Sequence, residues 1–109
     1  MGKQSKTWYM ILDVNGNSIY NKDIKVSLPL PQKKGEWMVA EEGKGIVLVA
    51  NPNSSMGTDN RPFIAEFSGE LVLNDPHIPL AKRVRLLREA TNLDLKKFGI
   101  HRVIVPKNS

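Results

Sequence analysis

Residues 79–92, PLAKRVRLLREATN, can be built in two ways, and the architecture turns on which one the chain takes. At helical period, Leu80, Val84, Leu87 and Thr91 fall at i, i+4, i+7 and i+11 and form one stripe. Lys82, Arg85, Arg88 and Glu89 then share the neighbouring face. Pro79 suits a first turn, and Asn92 suits a left-handed stop. At period two, Val84 and Leu86 point inward while Arg83 and Arg85 point outward. Leu86 fits the strand better than the helix. The content of Ala, Leu, Arg and Lys favours the helix, so one helix is expected over 79–92.

Working outward, FIAEFSGELVL (63–73) sets Phe63, Ala65, Phe67, Leu71 and Leu73 against Glu66, Ser68 and Glu70. That alternation reads as a strand, with Gly69 marking a bulge or a close backbone approach. NDPHIP (74–79) punctuates. Downstream, DLKKFG adds a helical turn closed by Gly99, and IHRVIVP (100–106) reads as a strand. Upstream, WYMILDV (8–14) alternates as a strand into Asn15-Gly16, a pair suited to a type I′ turn, and the chain returns over 17–28. LPLPQKKG (28–35) breaks regular structure. EWMVA (36–40) and GIVLVA (45–50) suggest a second hairpin about residues 41–44. Residues 51–62, NPNSSMGTDNRP, read as a long loop, with Asn53, Met56 and Arg61 as candidate contact residues. The expected fold class is α+β: a five- to six-stranded antiparallel or mixed sheet with one helix near the C-terminus. A single globular domain is expected over 7–106, with flexible termini at 1–6 and 107–109.

Charge is unevenly distributed. Residues 1–81 hold eight Lys/Arg and nine Asp/Glu, whereas 82–109 hold eight Lys/Arg and two Asp/Glu, so the net +5 comes from the last quarter. Such asymmetry is an argument about partners rather than fold. Lys82, Arg83, Arg85, Arg88, Lys96, Lys97 and Arg102 are the candidates for contacting nucleic acid or an acidic protein surface, through phosphate-type contacts. Trp8, Tyr9 and Trp37 could stack on bases, although strand aromatics are usually core.

Other chemistries find little support. The absence of cysteine excludes disulfide scaffolds and thiolate metal sites. Asp13, Asn15 and Asn17 imitate the start of a calcium loop, but its twelfth position is Ile24 where a glutamate is required. His77 and His101 are the only imidazoles and have no zinc-ligand spacing. No phosphate-binding loop or nucleophile elbow occurs. The expectation is therefore no cofactor, no metal and no catalytic residue. The apolar runs are too short for a membrane span, and no apolar leader follows Met1–Lys6, so a cytoplasmic location without a membrane partner is expected.

Three local resemblances accompany this reading. RLLREATNL (85–93) resembles the tail of a Nudix box at Arg85, Leu87, Glu89 and Leu93, departing at Leu86, Ala90 and Asn92. Because magnesium-binding glutamates are missing, it implies a degenerate nucleotide-binding domain. REATNLDLKK (88–97) resembles a segment of the ribosomal stalk protein's C-terminal domain. GKGIVLVANP, RPFIAEFSGELVL and RVRLLRE together resemble a small phage and bacterial domain sometimes found beside pentapeptide repeats, matching at Ser68, Gly69, Glu70, Arg83, Arg85, Arg88 and Glu89. That resemblance implies a phage or mobile-element setting and favours the strand for 82–88. Three functions follow as expectations: a non-enzymatic binder using its basic surface, a phage-type protein that binds and inhibits a host protein, and the degenerate Nudix-like domain.

Overall fold

The computed structural model describes residues 7–55 and 60–99. In chain order these form β1 (Trp8–Leu12), β2 (Met38–Val39), β3 (Ile46–Val47), a 3-10 turn (Pro52–Ser55), β4 (Arg61–Leu73), β5 (Leu80–Glu89) and α1 (Asn92–Lys96). The five strands make one antiparallel sheet in the order β1-β4-β5-β2, with β3 also on β5. The long β4–β5 hairpin is its spine. β1 runs along the first part of β4, Trp8 opposite Ala65 and Leu12 opposite Arg61. β2 and β3 lie end to end on the far edge of β5, Met38 opposite Val84 and Ile46 opposite Ala81.

The sheet curls until its two sides meet. Just beyond β3, Val49 exchanges both backbone hydrogen bonds with Tyr9 of β1, each 2.9 Å. The interior of this curl holds Met10, Leu12, Met38, Ile46, Leu48, Phe63, Ala65, Ala81, Val84 and Leu86. A smaller apolar cluster lies on the outside of β1, where Tyr9, Ile11 and Val49 are covered by Ile19, Ile64, Ala90 and Phe98. Phe98 meets Tyr9 edge-on, centroids 5.6 Å apart. Burying β1 on both faces explains why Trp8–Leu12 reads as an almost continuous apolar run.

The central correction concerns 79–92, which is a strand to Glu89 and not a helix. Ladder partners on both edges supply what a helix would have supplied internally, and packing overrides the weak helical preference of Leu, Arg and Lys. Burial agrees. Leu86 and Val84 are fully buried, whereas Leu80 and Leu87 of the helical stripe are half-buried and Thr91 is exposed. The helix comes later and is only five residues long. Thr91 caps it: its hydroxyl accepts from Asp94 N–H at 3.2 Å, and Asp94 accepts from Thr91 N–H at 2.7 Å. Asn92 thus opens the helix instead of ending it. The turn closed by Gly99 is present, at φ +78°.

Smaller differences lie at the edges and turns. The segments 36–40 and 45–50 do not pair as a hairpin; each pairs with β5. The turn after β1 has positive φ at Gly16 (+87°) and not at Asn15, which rules out the type I′ form. Asp13 closes it by accepting from Asn15 and Asn17 N–H. The return over 17–28 forms no named strand and meets β1 through the Leu12–Ser18 bridge. Asn21 turns inward and edges β3, donating to Gly45 O and accepting from Val47 N–H. The 51–62 loop is shorter than expected, with a 3-10 turn at its start and β4 beginning at Arg61. Gly69 is a bulge at φ +82°, with the register slipping between Ser68 and Leu71. The expected strand at 100–106, Met56, His101 and Arg102 lie outside the described residues.

Candidate functional site

Strand pairing sets which basic side chains share a surface. Along β5 the outward positions are Arg83 and Arg85, flanked in β4 by Ser68 and Glu66. Beside the Gly69 bulge the alternation of β5 breaks, and Lys82 and Arg83 are exposed in succession. On the other edge, Val39 stands opposite Arg83, and the same register carries Trp37 to Arg85. The Gly35 N–H donates to Leu86 O at 2.9 Å and keeps the chain before β2 against β5. Met38 points into the core, so its neighbour Trp37 points out and is half-buried.

The result is a row across three strands. Glu66 accepts from Arg85 Nε in an ion pair. The Arg85 guanidinium lies 4.5 Å from the Trp37 ring centroid, and that of Arg83 lies 5.1 Å away. Each such contact contributes about 0.5–1 kcal/mol at an exposed site. Among the described residues Arg83 bonds no carboxylate, and its cross-strand neighbours Ser68 and Val39 are uncharged. Beside it lies a groove lined by Val39, Val72, Lys82 and Arg83 together with Glu41, Glu42 and Lys44.

The other end of β5 is different. Arg61, expected in a loop, opens β4 and meets Glu89 through two hydrogen bonds of 3.0 Å. That pairing raises the Arg61 pKa. Arg88 grips Asp94 at 2.6 and 3.1 Å and is likewise raised. The Arg88 guanidinium, helped by the Thr91 N–H and hydroxyl, holds the Asp94 carboxyl well below the usual carboxylate range. Burial pushes the Tyr9 phenol up, and the nearby Asp94 charge adds to this. Lys96 and Lys97 sit in and after α1, Lys97 being 5.4 Å from the Phe98 ring centroid. Asn53 is also at this end, its amide donating to Phe98 O at 3.3 Å.

The basic candidates therefore fall into two groups. Arg83 and Arg85 flank Trp37, with Lys82 next along β5, while Arg88, Lys96 and Lys97 lie toward α1. From Arg83 to Arg88 the strand advances about 17 Å. Glu66 and Asp94 are what sequence reasoning missed. Glu66 was readable as the outward neighbour of Phe67, and Thr91-x-x-Asp94 is a variant of the capping box. Among the described residues no group of three or more His, Asp or Glu side chains converges on a metal position. Among those residues, too, no helix is long and apolar enough to cross a membrane. Comparison of the chain with protein-family models, curated proteins and solved structures finds no match in any of the three.

Proposed function

We propose that this protein is a non-enzymatic binding module that takes the phosphate backbone of a nucleic acid on the outer face of β5 and β2. Arg83 and Lys82 make the phosphate contacts, and Arg85 contributes at the edge of the row. The observation that carries the reading is Arg83 poised over Trp37 without a carboxylate partner among the described residues. A guanidinium in that state keeps its donors for a ligand, whereas one in a two-point ion pair has already spent them. The aromatic ring beside it favours nucleic acid over an acidic protein face, because bases offer a surface to meet the indole.

The contact surface is narrower than the basic tail suggests. Arg88 and Arg61 serve the fold, leaving Lys82, Arg83 and Arg85 on this face for the partner. Weak, salt-sensitive binding is the consequence, with log affinity falling by about 0.7 per neutralised phosphate on single strands and about 0.9 on duplex DNA. Gel-shift titration with single- and double-stranded oligonucleotides at two ionic strengths tests this. Binding at low salt that weakens with a slope of two to three phosphates is expected. No binding at low salt, with either strand form, would overturn the proposal and turn attention to an acidic protein partner.

A further inference from the structure

The two arginines over Trp37 are not equivalent. Arg85 is held from behind by Glu66, across the β4–β5 ladder. Arg83 has uncharged Ser68 on one side and Val39 on the other, the latter 62% exposed. The indole is thus met by one cation anchored by a carboxylate and one that, among the described residues, has the ring and no carboxylate. An arginine on an aromatic ring occupies the position that a stacked base would occupy, since both are flat and both are drawn to the π surface.

We propose, resting on the reading above, that Trp37 is a base-stacking platform and that Arg83 covers it until a ligand arrives. A nucleobase takes the place of the Arg83 guanidinium on the indole, and Arg83 swings to the phosphate of the same nucleotide. Arg85 stays, held by Glu66, and keeps the ring in position. The ligand is consequently single-stranded, because a base within a duplex has no free face to offer. Non-covalent exchange of one planar group for another requires no strand movement in the protein.

Fluorescence anisotropy of labelled strands on the full chain tests the slot. The comparison is between oligothymidylate and an abasic deoxyribose-phosphate strand of equal length, which carries the same phosphates and no bases. A preference of about tenfold for the base-bearing strand is expected from one stacked base. Trp37→Leu should abolish that preference, bringing the base-bearing and abasic strands to the same affinity. In a Trp8→Phe background, where Trp37 is the sole indole, oligothymidylate should quench emission and the abasic strand should not. Equal affinity for the two strands without quenching would overturn the stacking slot while leaving the phosphate-contact reading standing. Failure of both strands to bind would overturn both.

Discussion

The two ends of β5 carry the same residue type to different ends. Near Glu89, arginine is a fastener: Arg88 ties the strand to α1 through Asp94, and Arg61 ties β4 to β5 through Glu89. Near Lys82, Arg85 has a carboxylate, whereas among the described residues Arg83 has an indole and no carboxylate. A count of basic residues treats all of them alike. Register separates Arg85 from Arg83, because Arg85 lies opposite Glu66 and Arg83 opposite serine and valine, while the capped helix brings Asp94 to Arg88. The chemical character of this surface follows from strand register more than from net charge.

The most damaging change should be to what the two ends share. Leu86 is fully buried between them, and Leu86→Ala should cost about 2–5 kcal/mol, read from a urea transition. A loss under about 1 kcal/mol would mean the side chain is not inside the curl. At the fastened end, Asp94→Asn should lower stability by about 1 kcal/mol, the cap contributing more than the solvent-screened ion pair, Arg88 being half exposed. Binding should be untouched. The sign with pH is defined: folded Asp94 resists protonation more than unfolded, so its contribution is complete above the ordinary carboxylate range. It is lost as pH falls through and below that range. The stability gap between the native chain and Asp94→Asn should therefore narrow in acid; an equal gap at pH 7 and in acid would contradict the pairing.

At the free end, Glu66→Gln should sharpen the contrast. Removing the carboxylate unmasks Arg85, so oligonucleotide affinity should rise severalfold at low salt and return to normal at high salt, for a stability cost of up to about 1 kcal/mol. Unchanged or weaker binding at low salt would show that Arg85 does not face the ligand. The smallest effect is expected from Lys96→Gln with Lys97→Gln. These sit in and after α1, outside the Trp37 row, so affinity should hold and stability should move by no more than about 0.5 kcal/mol.

How far the sequence revealed this can be judged at particular residues. The β4 alternation from Phe63 to Leu73 and the bulge at Gly69 were legible, because period two and a mid-strand glycine have direct geometric causes. The strand at 80–89 was half legible: Leu86 and the outward Arg83 and Arg85 pointed to it, while helical propensity pointed away. The destination of β2 and β3 was hidden, since pairing with β5 depends on a partner some 40 residues away that no local signal names. The basic set was visible residue by residue. Its division into fastened and free members was not, because Glu66 and Asp94 become neighbours of arginine only once the hairpin and the capped helix exist.

The salt dependence of oligonucleotide binding by Arg83→Gln and Arg88→Gln, measured side by side with the native chain, tests the division directly. Arg83→Gln should lower the slope of log affinity against log salt by about 0.7, one phosphate contact on a single strand, while Arg88→Gln leaves the slope where it was. Equal reductions in the two variants, or a reduction confined to Arg88→Gln, would contradict the account.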